Sequence, residues 1–214
     1  MIEKTRYERL FSTPVLRFQL PDHERLNTEL LHAGGQLRDA DTGVDKSNRG
    51  GWHSSGNLFD NFMPYFRELR AAAEQAVLLA NETIGAKADP DALSMKLFAW
   101  MNANPGGGFN APHTHPGAHW SGVYYVSQPR VASGNSGMIE FLDPRTDLPQ
   151  WRILRAAPFK LKKKLRPEPG EMILFPSYLV HWVYPNESVE ERVSIAFNAT
   201  FKKAKTKADD DDAQ

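Results

Sequence analysis

The chain has 214 residues, enough to bury the core of one domain without disulfides or a structural metal. Its 26 basic and 26 acidic side chains cancel, and a pI of about 7.1 argues against nucleic acid as a partner. Because there is no cysteine, disulfides, thiolate metal sites and cysteine nucleophiles are excluded, and a metal would need His, Asp or Glu as ligands.

Two segments in the first half of the chain have helical periodicity. In residues 24–39 leucines recur at helical spacing, but Gly34 and Gly35 interrupt the pattern, which predicts a short or broken helix. In residues 61–86 Pro64 suits a first helical turn, and one face is predicted to carry Phe62, Tyr65, Phe66, Leu69, Ala73, Ala76 and Leu79. This second segment is predicted to be a helix.

From residue 94 onward the sequence changes to short β-type runs separated by turn signals. These runs are MKLFAWMNA, HWSGVYYVS, GMIEFLDP, EMILFPSYLVHWVY and RVSIAFNATF. The pattern predicts a mainly β protein with flanking α-helices, in which a sandwich or closed jelly roll carries the N-terminal helices on its outside.

The chain is expected to form one domain over residues 1–201, with a helical part at about 1–93 and a jelly-roll core at about 94–201. The end, KKAKTKADDDDAQ (residues 202–214), is a basic run followed by an acidic run and is predicted to be a disordered tail. No segment resembles a signal peptide or approaches the roughly 18 apolar residues of a membrane span. We therefore expect a cytoplasmic protein without a membrane partner.

Two histidines, His113 and His115, stand one residue apart in NAPHTHPGAHWSGVYYV (residues 110–126). Residues i and i+2 of a strand project from the same face about 6 to 7 Å apart, so both rings can point at one metal ion. His181, the single imidazole in the apolar run FPSYLVHWVYP, is the candidate third ligand. Taken singly, each feature also fits a polar turn or a hydrogen-bonded core histidine.

The last β-type run, RVSIAFNAT, adds an independent signal. Strand alternation places Arg192, Ser194, Ala196 and Asn198 on one face, opposite Val193, Ile195 and Phe197. An arginine that faces the interior of a small barrel is costly unless an anion pairs with it. A carboxylate ligand would supply that anion.

Several other residues could also line a site. The polar segment DKSNRGGWHSSGNLFD (residues 45–60) carries Trp52 and His53, which are unusual in a linker, so it could cover a site or simply hold two packed anchors. Trp100, Asn102 and Asn104 precede the histidine pair and could line a pocket, although polar barrel residues are the simpler interpretation.

Taken together, His113-x-His115, GVYYV, GMIEFLDPR, PGEMILFPSYLVHWVYP and ERVSIAFN resemble the 2-oxoglutarate and Fe(II)-dependent oxygenases. More narrowly, they are similar to an uncharacterised bacterial and phage oxygenase group that is distantly similar to prolyl hydroxylases. The earlier FSTPVLRFQLP and SNRGGWHSSGNLF also resemble that group. The resemblance implies a double-stranded β-helix, a cupin-like jelly roll, with Fe(II) as cofactor and 2-oxoglutarate as cosubstrate.

The resemblance also implies roles for individual residues. His113 matches the first histidine of the family's metal motif, and His181 matches the distal histidine. Arg192 matches the basic residue that binds the far carboxylate of 2-oxoglutarate, with Ser194 on the same face. Tyr125 corresponds to a tyrosine that helps to hold this carboxylate, and Tyr124 would take the role if the strand register differed by one residue.

Position 115 departs from the family pattern, which has an acid where this chain has histidine. We expect a three-histidine site of His113, His115 and His181. Two alternatives stay open, since His113 and His181 could bind the metal with water in the gap, or a remoter acid such as Glu140 or Asp143 could complete the shell.

The function expected from the resemblance is hydroxylation of an unidentified small molecule, amino acid or peptide, coupled to conversion of 2-oxoglutarate to succinate and CO2. A cupin-type metal dioxygenase or isomerase that does not use 2-oxoglutarate is the first alternative. A jelly-roll binding module without catalysis is the second. A homodimer is possible, because an antiparallel barrel with apolar flanking helices can readily dimerise.

Overall fold

Two antiparallel sheets form the body of the computed structural model, which describes residues 11–87, 92–131, 134–145, 153 and 155–204. Within these residues the helices are α1 (His23–Ala40) and α2 (Pro64–Thr83). The strands are β1 (Leu16–Gln19), β2 (Asn48–Arg49), β3 (Trp52–His53), β4 (Leu93–Asn104), β5 (Phe109–His113), β6 (Trp120–Ser127), β7 (Ile139–Leu142), β8 (Lys162–Leu165), β9 (Glu171–Pro176), β10 (His181–Val183) and β11 (Arg192–Lys203).

The larger sheet has the strand order β1-β9-β6-β11-β4-β3, and the smaller sheet has the order β2-β5-β10-β7-β8. One apolar layer lies between the larger sheet and the two helices. A second layer lies between the sheets and is built from Val123, Tyr125, Ile139, Phe141, Ile173, Phe175, Leu179 and Val183. The prediction of a jelly roll with its helices packed on the outside is therefore confirmed.

Helix α1 is continuous from His23 to Ala40, so the predicted break at the glycine pair is wrong. Gly34 is buried in the helix face that packs on the larger sheet. A Cβ atom at Gly34 would lie 2.7 Å from the Sδ atom of Met101 in β4, whereas one at Gly35 would meet nothing within 4 Å. The first glycine therefore permits close packing of helix on sheet.

Helix α2 begins with Pro64 in its first turn, as predicted, because the missing N–H of proline costs nothing there. Its buried face consists of Phe66, Leu69, Ala73, Ala76, Val77 and Ala80. Phe62 precedes the helix and Leu79 points outward, so their assignment to this face is wrong.

The alternation of β11 is as expected, because Val193, Ile195 and Phe197 belong to the layer beneath the helices. Arg192 and Ser194 face the space between the sheets. Strand β11 continues to Lys203, which pairs with Leu93, so the predicted tail does not begin at residue 202. Residues 205–214 of that tail lie outside the described residues.

The polar segment at residues 45–60 is more than a loop. Strand β2 pairs with β5 in the smaller sheet, and β3 pairs with β4 in the larger sheet. This segment therefore joins the edges of both sheets along one side of the interior. In the described part of the chain, neither helix is apolar enough over its length to cross a membrane.

Candidate active site

Three histidines meet in a cavity between the two sheets. His113 ends β5 and pairs directly with His181 at the start of β10. His115 lies two residues beyond β5, where its backbone N–H donates to the carbonyl of Ser177 at 3.0 Å. One ring nitrogen from each histidine lies within 4.8 Å of the others, so the three rings can share one metal ion.

Backbone carbonyls orient two of these rings. The Nδ1 atom of His113 lies 2.7 Å from the carbonyl oxygen of Ala111, and that of His181 lies 2.8 Å from the carbonyl oxygen of Leu179. A carbonyl only accepts hydrogen bonds, so each Nδ1 carries the proton and each Nε2 presents its lone pair. The Nδ1 of His115 has a longer contact, 3.5 Å to the side-chain nitrogen of Asn198.

Burial keeps the rings neutral. Desolvation, together with the nearby ring of His113, lowers the pKa of His115 to about 4 and that of His181 to about 3. Desolvation also lowers the pKa of His113. The three imidazoles are therefore in their metal-binding form at neutral pH without releasing a proton.

Arg192 lies in the same cavity with only 2% of its surface exposed. Its Nε donates to Gln128 Oε1 at 3.1 Å, and its Nη1 donates to Asn104 Oδ1 at 3.2 Å. Among the described residues no carboxylate forms an ion pair with it, and desolvation lowers its pKa. The cavity thus holds a buried cation that protein dipoles satisfy only in part.

The two neighbouring tyrosines point in opposite directions. Tyr125 lines the cavity, with its ring 5.3 Å from the guanidinium carbon of Arg192. Its buried hydroxyl has no hydrogen-bond partner within the described part of the chain, and desolvation raises its pKa to about 12. Tyr124 instead packs beneath the helices and donates to Asn27 at 2.6 Å. The structure thus places Tyr125, rather than Tyr124, beside Arg192.

The two remoter acids are engaged elsewhere. Glu140 accepts a hydrogen bond from the Tyr184 hydroxyl on the outer side of β7. Asp143 accepts from the backbone and the guanidinium of Arg145, as expected for a turn residue. Neither carboxylate joins the histidine cluster, which the three rings form by themselves in the described regions.

Comparison with known proteins finds a family that matches this region of the chain. Residues 98–198, which contain the three histidines and Arg192, match the family described as "Putative 2OG-Fe(II) oxygenase". This match covers most of the jelly-roll region, and its description agrees with the family that the sequence resembles. No curated protein sequence matches the chain.

Solved structures share the fold of this chain at low sequence identity. A Pseudomonas putida prolyl-4-hydroxylase has 18% identity and a TM-score of 0.60, with 92% of this chain and 96% of that chain covered. A Trichoplax adhaerens prolyl hydroxylase in complex with a hypoxia inducible factor peptide fragment has 14% identity and a TM-score of 0.61, with 88% and 83% covered. Streptomyces hygroscopicus HygX with nickel, 2-oxoglutarate and hygromycin B bound has 13% identity and a TM-score of 0.60, with 88% and 83% covered.

The chemistry of the cavity fits iron and 2-oxoglutarate. Three neutral imidazoles supply nitrogen donors on one side, which suits Fe(II). Arg192 and the unpartnered hydroxyl of Tyr125 supply a cation and a donor for a carboxylate. Ser194 lies beside them, with its Oγ 3.4 Å from Arg192 Nη1.

Sequence reasoning missed part of the cavity wall. Ser47 and Asn110 line the cavity but were assigned no role. The Ser47 Oγ lies 3.4 Å from His113 Nε2, the nitrogen that faces the other histidines. No local pattern marks either residue, because strand pairing across the sheets brings them to the metal side. Trp100 also lines the cavity, where its ring stacks on His53 at 5.6 Å.

Proposed function

We propose that the protein is an Fe(II) and 2-oxoglutarate-dependent hydroxylase in which His113, His115 and His181 bind the iron. Arg192, Ser194 and Tyr125 bind the distal carboxylate of 2-oxoglutarate. One observation carries this proposal: a buried arginine without a carboxylate partner among the described residues shares a cavity with three neutral histidines, of which His181 is buried and the other two are partly buried. A dicarboxylate that also chelates the metal satisfies both ends of the cavity at once.

The chain itself supplies binding, orientation and exclusion of water. The carbonyls of Ala111 and Leu179 hold two imidazoles with their Nε2 lone pairs toward the metal. The apolar side chains Ile139, Phe175 and Val183 line the cavity and keep bulk water from it. Bound Fe(II) and 2-oxoglutarate would supply the oxidation, in which one oxygen atom of O2 enters succinate and the other enters the substrate, with release of CO2.

An all-histidine site changes the charge balance in this proposal. Three neutral imidazoles leave the full charge of Fe(II) uncompensated by the protein, whereas a carboxylate ligand would remove part of it. The negative charges of 2-oxoglutarate then balance the metal at one end and Arg192 at the other. We therefore expect metal and cosubstrate to bind cooperatively.

The proposed substrate is a small molecule, an amino acid or a peptide. Among the similar structures, the Trichoplax adhaerens enzyme is in complex with a peptide fragment, and HygX has hygromycin B bound. Several expectations from the sequence stay predictions. They are a single domain over residues 1–201, a location in the cytoplasm, a homodimeric state, and the absence of nucleic-acid and membrane partners.

The proposal is tested by binding and turnover in the same preparation. Calorimetry with Ni(II), a redox-inert substitute for Fe(II), should detect 2-oxoglutarate binding that weakens about tenfold or more in Arg192→Ala, because a charged pair is lost. Arg25→Ala, at an exposed ion pair on α1, is the control and should bind normally. With Fe(II) and air, the wild type should form succinate above background even without substrate.

Two other results would favour the alternative functions. Metal binding without 2-oxoglutarate binding would favour the cupin-type dioxygenase or isomerase. Absence of both metal binding and succinate formation would contradict catalysis and favour a binding module.

A further inference from the structure

Four asparagines form a polar wall on one side of the cavity. We call them the asparagine wall: Asn48, Asn102, Asn104 and Asn110, none of which is more than 7% exposed. The wall lies where the segment of β2 and β3 joins the edges of the two sheets. It borders the metal side of the cavity, because Asn102 and Asn110 line the same space as the three histidines.

Two members of the wall satisfy each other and the neighbouring chain. Asn48 donates to the Trp52 carbonyl at 2.8 Å and accepts from Asn104 at 2.6 Å. Asn104 in turn accepts from Arg192. The oxygen and the nitrogen of each of these two amides therefore both take part in holding the wall and the arginine in place.

The other two members have unused hydrogen-bonding capacity. Asn102 only accepts a long bond of 3.4 Å from Asn48, which leaves its NH2 group without a partner in the described regions. The side-chain amide of Asn110 forms no hydrogen bond at all with the residues that the structure describes. Both residues are at most 7% exposed and line the cavity, so a group that bonds to their free amides must lie within the cavity.

A β-bulge brings Asn110 to the metal side. His113 pairs with His181 and Asn110 pairs with Val183, so three steps along β5 match two along β10. The extra residue reverses the usual alternation, and Asn110 faces the cavity together with His113. Bulges re-aim side chains in this way at sites of function.

The charges of the cavity restrict what the wall can bind. Its lining contains no aspartate, glutamate or lysine, and its one arginine is assigned to 2-oxoglutarate. A free amino acid would bring an ammonium and a carboxylate without a counter-charge from this lining. The spare groups are neutral and both donate and accept, and a second amide matches them in both respects.

We propose that Asn102 and Asn110 form a subsite for a neutral amide of the prime substrate, which is therefore an amino-acid residue within a peptide. The proposal rests on the proposed function. Trp100, beside the histidines, supplies an apolar wall for the side chain to be hydroxylated. Nucleobases are also neutral donors and acceptors, but the balanced charge of the chain favours a peptide.

The test compares three sets of probes with Fe(II), 2-oxoglutarate and air. They are N-acetylated amino acid amides, the matching free amino acids, and single-stranded oligonucleotides. We expect at least one capped amide to raise succinate formation above the substrate-free level and to gain the mass of one oxygen atom. Its free counterpart should do neither.

Variants tie the effect to the wall. Asn110→Leu should raise the KM for the capped amide about tenfold or more, because a buried amide pair is lost. Asn110→Ser and Asn102→Leu should also raise the KM for the capped amide. These two variants replace Asn110→Leu in the test if that variant does not fold. Gln36→Leu, an amide replaced on the exposed side of α1, is the matched control and should behave as wild type.

The outcomes separate the two proposals. If the wild type forms no succinate above background in the reaction without substrate, the proposed function itself is contradicted. Two results would overturn the amide subsite alone, provided that succinate forms without substrate. One is stimulation of succinate formation by free amino acids or oligonucleotides, and the other is that no capped amide stimulates it. An unchanged KM for the capped amide in the asparagine variants also overturns it.

Discussion

His115 occupies the position at which the family resemblance implies an acid, and its ring lies 4.9 Å from that of His113 and 5.3 Å from that of His181. Its orientation is less constrained than theirs, because Asn198 rather than a backbone carbonyl lies next to its Nδ1. Of the three arrangements that the sequence left open, a remoter acid is not supported by the positions of Glu140 and Asp143. The choice between three histidine ligands and two rests on this one ring.

Removal of the His115 ring distinguishes three protein ligands from two. His115→Ala should weaken Ni(II) binding about tenfold or more, because one of three ligands is lost. His119→Ala is the control, since His119 packs against Phe201 outside the cluster. Competition with a fluorescent chelator measures both affinities. Unchanged affinity in His115→Ala would favour the two-histidine arrangement.

A second residue-scale prediction concerns the tyrosine pair. Tyr125→Phe should raise the KM for 2-oxoglutarate about tenfold with little effect on stability, because its hydroxyl bonds to no described residue of the free protein. Tyr124→Phe should leave the KM for 2-oxoglutarate unchanged. It should lower the free energy of unfolding by about 1 kcal/mol, because the hydrogen bond to Asn27 is lost. Steady-state kinetics and urea unfolding check the pair. Equal KM values in the two variants would contradict the assignment.

At the scale of elements, β11 and α1 decide how the site is held. One face of β11 packs beneath the helices, while the other carries Arg192 and Ser194 into the cavity. The helix layer therefore fixes the strand that positions the cosubstrate side chains. The close approach of α1 to β4 at Gly34 belongs to this support.

The adjacent glycines of α1 give a matched test of that packing. Gly35→Ala should raise the free energy of unfolding by about 0.5–1 kcal/mol, because alanine has the higher helix propensity and meets no neighbour. Gly34→Ala should give a free energy of unfolding about 1 kcal/mol or more below that of Gly35→Ala, because its Cβ would force the buried side chain of Met101 to shift. Urea unfolding followed by circular dichroism measures both. Equal stabilisation by the two substitutions would show that the helix does not pack this closely.

At the scale of the whole molecule, burial of the histidines couples folding to pH. His115 and His181 have folded pKa values of about 4 and about 3, below the unfolded value near 6.5. Between these values the unfolded chain binds protons that the folded chain excludes. Their contribution to stability is therefore complete above about pH 6.5 and is lost as the pH falls toward 4 and then 3.

The metal-free protein should become less stable on acidification from pH 6.5 to pH 5, by up to about 1.4 kcal/mol per pH unit for each such histidine. Urea unfolding at several pH values measures the slope. In His181→Leu the decrease of stability with falling pH should be shallower, because the unfolded variant has one histidine fewer that binds a proton. A stability that is constant over this range in the wild type would contradict the lowered pKa values of His115 and His181.

The sequence determined the class of fold, and it identified the three histidines and Arg192 as candidate site residues. It could do so because strand alternation and isolated polar residues in apolar runs are local signals. It did not reveal that α1 is unbroken, that residues 48–53 join both sheets, or that Asn110 faces the metal side. Those features depend on contacts between segments far apart in the chain: a sulfur atom opposite a glycine, a pairing across two sheet edges, and a bulge that shifts the register by one residue. Local patterns fix which face of a strand is polar, but only tertiary packing decides what that face meets.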